Sequence, residues 1–222
     1  MKELIALAFL LLPLGSCASS TRFVVHVDSF TTPEAESLAS YSIESPRAEE
    51  DPLAWKEFST YVHRAMQAQG WGRARDGEEP DFELVVDYGI SDPERYEYTT
   101  SSPVYGVVGE TTSYNTEYNA YSGYQPVETK TPEYGITHYT SETAVGVRYH
   151  RHLVLVASKH GADGAPIWQV QARSSGYSHD LRLVFPYMVA AARPYLGRST
   201  GHEVDVTLTE NSEEAALIRG ES

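Results

Sequence analysis

Tyr149-His150-Arg151-His152 sets two imidazoles two residues apart. On an extended strand alternate side chains share a face, so His150 and His152 have a spacing that can grip a metal ion, with His138 as a further ligand if it lies on a neighbouring strand. Such a site would make the chain a metal-dependent enzyme. No thiol or carboxylate stands at a diagnostic interval from these histidines, and the alternative is a polar face at the mouth of a sheet. Ser178-His179-Asp180 spells the members of a hydrolase triad, but three successive residues cannot pass a proton along in the required geometry. They read as a loop and a helix cap. The sequence contains no Gly-x-Ser-x-Gly elbow and no phosphate-binding glycine pattern. Among 31 acidic residues no pair marks itself as a glycosidase pair. The expectation is a non-catalytic protein with no cofactor.

A different chemistry comes from tyrosine. Between Tyr96 and Thr143 the composition shifts to Tyr, Thr, Ser, Gly and Glu. Tyr114, Tyr118, Tyr121, Tyr124 and Tyr134 offer flat amphipathic area at small rotamer cost, which recognition surfaces exploit. They are candidates for partner binding, including a cell-wall glycan. The alternative is a long hairpin or loop whose tyrosines pack on the domain itself.

Cys17 is the single cysteine, so no intramolecular disulfide can form. It follows an apolar run from Leu4 to Leu14 of about 11 residues, short of the roughly 20 a bilayer-crossing helix needs. With Lys2 ahead of the run and Gly15 and Ser16 behind it, the segment has the make-up of a secretory signal. Leu14-Gly15-Ser16-Cys17 resembles the lipobox of bacterial lipoproteins. That resemblance implies a signal peptide over residues 1–16, cleavage between Ser16 and Cys17, and acyl chains on the cysteine. More than one chain is needed, because a single one holds a membrane only marginally. Ala18 and Ser19, rather than Asp, follow the cysteine, which by analogy with lipoprotein sorting implies the outer membrane, facing the periplasm.

The remaining sequence has to build the body that this anchor holds. Net charge is −14 with 41% hydrophobic residues, enough for one core and a surface that repels nucleic acid. Residues 17–21 leave only a short tether before a strand from Arg22 to Asp28, and a second short strand is expected over Ala39 to Ile43. Asp51 as N-cap and Pro52 at the first position open a helix over 52–69. Its face is Trp55, Phe58, Val62, Ala65 and Met66, and Gly70 with Trp71 closes it in a Schellman motif. Phe82 to Ile90 alternates as a half-buried strand. "LVLVAS" and "IWQVQA" flank a Gly-rich turn as a hairpin. Pro186 argues for a turn over Asp180 to Phe185 and then a helix from Pro186 to Leu196. Val204, Val206 and Leu208 form a last strand, and residues 210–222 read as a flexible acidic tail.

This order of elements resembles the bacterial lipoprotein family known as domain of unknown function 4136. The resemblance lies in "LASYSI", in "MQAQGW" before "PDFELVVDYGI", in the Tyr/Gly-rich middle, and in "LVLVASKHGADGAPIWQVQA" before a closing helix. "VRYHRHL" departs from the family's usual strand start. The resemblance implies an α+β envelope lipoprotein and carries over no activity. The expected architecture is a single α+β domain over 22–209, with a Tyr-rich insertion at 96–143. It would be an antiparallel or mixed sheet of about five strands with two helices packed on one face, and a core of Trp55, Phe58, Val62, Leu84, Val86, Leu155, Trp168, Val170 and Val189. The expected partners are the membrane, through the lipid on Cys17, and an envelope protein. The oligomeric state is left open.

Overall fold

The computed structural model describes residues 21–75, 77–161 and 164–221, so Ser16, Cys17 and the signal segment lie outside the described residues. The chain forms two compact units: a body, made by the segment up to Ser91 and the segment from His150 onward, and a ribbon, Asp92–Tyr149.

The body is α+β. Its strands are β1 (Arg22–Thr31), β2 (Ser40–Glu44), β3 (Gly72–Arg73), β4 (Phe82–Ile90), residues 150–159 of β6 (Gly123–Lys159), β7 (Pro166–Gly176) and β8 (Val204–Thr209). They run in the order β3-β2-β4-β6-β7-β1-β8, and β5 (Glu94–Asn119) pairs with β6 to complete eight strands. The sheet is mixed: β2 is parallel to β3 and β4, while β4/β6, β1/β7 and β1/β8 are antiparallel. Eight strands replace the expected five. β3 is only two residues long, and the second strand of the ribbon is the same strand as "LVLVAS", which a reading by apolar period separates.

Three helices share one face: α1 (Pro52–Ala68), α2 (Leu181–Ala192) and α3 (Glu213–Arg219), all in mutual contact. α1 follows its caps. Asp51 accepts from the Ala54 N–H, and Gly70 takes φ +93°. The N–H groups of Trp71 and Gly70 then close on the carbonyls of Met66 and Gln67, the Schellman pattern.

α2 begins earlier than expected. Asp180 accepts from the N–H groups of Arg182 and Leu183, so the helix starts at Leu181 and runs through Pro186. That proline removes one interior hydrogen bond. Every residue from Val184 to Ala192 is buried, and packing outweighs the lost bond. Beyond Ala192 a short 3-10 turn, Arg193–Tyr195, replaces the expected last helical turn. The segment read as a flexible acidic tail holds α3. Ala215 and Ile218 are fully buried, and Arg64 of α1 donates to the Ile218 carbonyl at 2.8 Å.

The core follows strand parity. Phe82, Leu84, Val86 and Tyr88 of β4 face the helices beside Leu153, Leu155 and Ala157 of β6. Val25, Val27 and Ser29 of β1 lie opposite Ser174, Ala172 and Val170 of β7. Trp168 is fully buried and stacks on Trp71 at 5.5 Å. All the expected core residues are buried except Trp55, which is half-buried at the margin, parallel to Tyr88.

The ribbon is a two-stranded antiparallel hairpin, β5 against residues 123–148 of β6, closed by Gly123 at φ +71°. Bulges interrupt it between Val104 and Tyr105 and between Val107 and Gly109. No residue from 92 to 149 belongs to the hydrophobic core.

Two outcomes are expected from this architecture. The core phenol Tyr41 is hydrogen-bonded to Nδ1 of His63, and burial together with Arg73 holds the His63 imidazole below its ordinary value. A depressed histidine contributes stability that is complete above about pH 6.5 and lost as pH falls through the folded value. Urea midpoints should therefore drop on acidification from pH 7.5, and His63→Gln, whose amide accepts the same proton without titrating, should remove that drop. Excising 93–148 and joining the strand ends by Asn-Gly should change body stability by no more than about 0.5 kcal/mol, the range of substitutions that touch no core.

Candidate functional site

A cleft of about 830 Å³ opens in the body where the N-terminal ends of α1 and α2 meet the end of β4. α1 enters it because Asp51 and Pro52 start the helix there, and α2 because Asp180 does the same. Both helices direct the positive ends of their dipoles toward this region. Tyr88 and Phe58 form the apolar floor, their rings edge-on at 5.0 Å. Phe185 of α2 meets Tyr88 at 5.5 Å, fixing the phenol in place.

The charged groups of the rim are committed to one another. Arg182 of α2 pairs with Glu57 of α1 at 2.6 Å, and Tyr61 donates to the same carboxylate at 2.8 Å. The hydrogen bond from Arg182 holds the Glu57 carboxyl below the usual carboxylate range, whereas burial and Glu57 push the Tyr61 phenol up. Arg47 reaches Asp87 at 3.1 Å and Glu50 at 3.6 Å. Gly89 makes room for this arrangement, since a Cβ there would lie 2.6 Å from the His152 ring and 3.4 Å from the Arg47 guanidinium.

One group is left over. Tyr88 is 5% exposed, and its hydroxyl has no hydrogen-bond partner among the described residues. Burial, and next to it the Asp51 carboxylate, push the phenol up, so it stays protonated and available as a donor. Leaving such a group unmet carries the full desolvation cost of a buried donor. The lining contains no serine, threonine, cysteine or lysine. It can therefore hold a ligand that offers an acceptor to Tyr88 and apolar surface to Phe58, Ile90 and Leu181.

Of the residues singled out from sequence, His179 and Asp180 line this cleft and the others lie elsewhere. His150 and His152 share a face of β6, as their spacing implies, and His152 lies 3.7 Å from Asp87. His138 belongs to the ribbon, opposite Val104. Among the described residues no group of three or more His, Cys, Asp or Glu is placed to hold a metal ion. Ser178 and Asp180 form the loop and cap of α2, with the Ser178 hydroxyl accepting from the Asp180 N–H. Tyr114, Tyr118, Tyr121, Tyr124 and Tyr134 are all exposed on the ribbon. Tyr118 lies directly across from Tyr124 with ring centroids 5.2 Å apart, and strand parity puts Tyr114 on their face. Cys17 and Ser16 lie outside the described residues.

Sequence reading did not find Tyr88, Arg47, Glu57 or Arg182 as site residues, because the cleft joins segments far apart in the chain. Tyr88 carried one signal: it is the polar-tipped member of an otherwise apolar inward row, Phe82, Leu84 and Val86. Tyr88→Phe is expected to raise the stability of the ligand-free protein by about 1 kcal/mol, since it deletes an unmet buried donor. A urea titration showing a comparable loss would mean that the hydroxyl has a partner.

No protein-family model matches the chain, and no curated protein does either. Among solved structures, a PDZ domain protein from Parabacteroides distasonis aligns over 86% of this chain with a TM-score of 0.41 and 10% identity. The chain spans 39% of that protein's length. A PelC dodecamer from Paraburkholderia phytofirmans aligns over 78% of this chain and 95% of its own, with a TM-score of 0.36 and 14% identity. The chain is similar to both in the outline of its backbone alone.

Proposed function

We propose that this protein is a lipid-anchored envelope lipoprotein, held through Cys17 at the periplasmic side of the outer membrane, and that it works as a non-catalytic binding module. Kinship with the lipoproteins of domain of unknown function 4136 belongs to the same reading and rests on the motifs quoted above. The anchor is supported by Leu14-Gly15-Ser16-Cys17 and the apolar run before it. The observation that carries the binding role is the unpartnered Tyr88 hydroxyl in a cleft whose acids and bases are spent on caps and ion pairs. Catalysis would need an uncommitted nucleophile or base, whereas recognition needs a shaped surface with a few oriented donors.

A second reading has its own support. The exposed face of Tyr114, Tyr118 and Tyr124 suits stacking against sugar rings, so a cell-wall glycan is the alternative ligand. Pelleting with purified cell-wall sacculi separates the two. The ribbon reading requires co-sedimentation that is lost in a Tyr118→Ser, Tyr124→Ser double variant, while the cleft reading requires none.

The anchor is tested by growing cells with labelled palmitate. Label should enter the wild-type protein and be absent from Cys17→Ala, which should move from the membrane to the soluble fraction. For the cleft, peptides from an envelope digest should raise the melting temperature of the wild-type protein, with affinity about tenfold lower in Tyr88→Phe, the worth of one good hydrogen bond. Equal affinity in the two proteins would refute the role given to the phenol.

A further inference from the structure

The two faces of the ribbon differ. Carried through the bulges, the pairing gives one face five successive rungs, from Thr99 opposite Thr143 to Val107 opposite Tyr134, and none of these ten side chains is charged. The three rungs toward the tip hold Pro103 and Tyr139, Tyr105 and Ile136, Val107 and Tyr134. Their five large apolar side chains are 43 to 73% exposed. The two rungs toward the root carry hydroxyl side chains alone. Glu110 and Glu97 bracket the stretch on this face, one rung beyond either end. Within the stretch the charge falls on the opposite face, at Glu142, in company with His138, Ser102 and Thr140.

A tilted strand crosses the hydrocarbon of a bilayer in about 9 to 11 residues, with apolar side chains outward and polar ones inward. Thr99–Val107 and Tyr134–Thr143 have that length and that alternation. A lone hairpin is marginal even in water, and in hydrocarbon its open edges would leave backbone groups unpaired. β5 has β6 as its single neighbour among the described residues, so the ribbon is two strands wide and has two long edges. Ribbons set side by side close them. β5 of one copy then lies antiparallel to β6 of the next, and the repeat can run round into a barrel with an even number of strands.

The body brings the root of the ribbon to the same place as the lipid. Val25 of β1 pairs with Ser174 of β7, Gly176 of β7 lies against Arg151, and Arg151 pairs with Ile90. Arg22, where the tether enters, therefore shares one end of the body sheet with Ser91 and His150, where the chain leaves for the ribbon and returns. Residues 18–21 reach only about 14 Å when extended, so an acylated Cys17 holds that end at the bilayer surface.

We propose that the ribbons of several copies of this chain pair edge to edge into a β-barrel that crosses the outer membrane, with the face of Tyr105 and Ile136 against lipid and the face of Glu142 lining the interior. The proposal rests on the lipoprotein reading above. The competing occupant of the apolar face is a single second ribbon laid against it in water, which would leave the edges open and need no lipid.

The test uses the full acylated chain in vesicles of phosphatidylethanolamine and phosphatidylglycerol. Tyr105→Cys, Ile136→Cys, Ser102→Cys and Thr140→Cys each receive a fluorophore on the new thiol, and none of these positions touches the core. Nitroxide groups on the lipid acyl chains should quench the label at 105 and 136 and leave it bright at 102 and 140. The detergent-extracted assembly should hold more than two chains, and vesicles should leak a small trapped dye, a leak lost in Ile136→Lys, whose charge would face lipid. Absent quenching at 105 and 136, or equal quenching at all four positions, overturns the proposal. So does a two-chain assembly whose labels at 105 and 136 are shielded equally with and without vesicles, which is the face-to-face dimer. Palmitate labelling of the same cells reports the anchor separately: labelled protein with an unquenched ribbon refutes the barrel and leaves the anchor standing, whereas unlabelled protein refutes the anchor while the quenching pattern still decides for the ribbon.

Discussion

The fold depends on the burial of α2. Nine consecutive residues, Val184 to Ala192, are inaccessible, so this helix has no solvent face through most of its length. A helix in that position needs cover on every side. β1 and β7 lie against it, and α1 and α3 close the remainder. That requirement explains why a proline is tolerated in its interior and why a segment as acidic as residues 210–222 is drawn into a docked helix. It also explains the stacking of Phe58 on Phe185 at 4.2 Å, which ties α1 to α2 beside the cleft.

The electrostatics of the body follow from the same crowding. Where helices and strand ends converge, charged groups pair across elements: Arg182 with Glu57, Arg47 with Asp87, Arg64 with the end of α3. Such partly exposed pairs add little to stability individually, but they fix which helix end faces which strand. Against this background two buried groups are conspicuous, the Tyr88 hydroxyl and the Arg151 guanidinium, whose Nε has no partner among the described residues. They sit at the same end of adjacent strands, Tyr88 opposite Leu153 and Arg151 opposite Ile90, where the apolar core gives way to clefts.

Much of the body was legible in the sequence because local chemistry and burial agree there. Asp51-Pro52 and Gly70-Trp71 bracket α1 within a residue, and the alternation of Phe82 to Ile90 coincides with β4. The ribbon was legible only as one alternative, a long hairpin, with no strand placed and its tyrosines packed on the body, whereas they are exposed. Both its faces meet solvent and two bulges shift its alternation, so it has no sustained apolar period to read. α3 was masked by its own charge, although Ala215, Ile218 and Gly220 carry a helical spacing and a C-terminal stop. Of the candidate site only the helix caps Asp51 and Asp180 could be read. Arg151 stands at the same parity as Leu153 and Leu155, which marks an arginine in an inward row, and the histidines beside it face outward. The cleft itself was beyond reach, since nothing local to residues 47, 57, 88 or 182 says that the fold will bring them together.

Only one face of the sheet is roofed by helices. The other carries Glu83, Asp87, His152, Gln171, Arg173, Asp28 and His26, with valines between them. Laying two such bare faces together would strip hydration from mixed charges in exchange for a few isopropyl groups, an unfavourable trade. The sheet's margins are equally unwelcoming, one a two-residue strand and the other bearing Asp205. Face-to-face stacking of this sheet on a second copy is thus disfavoured.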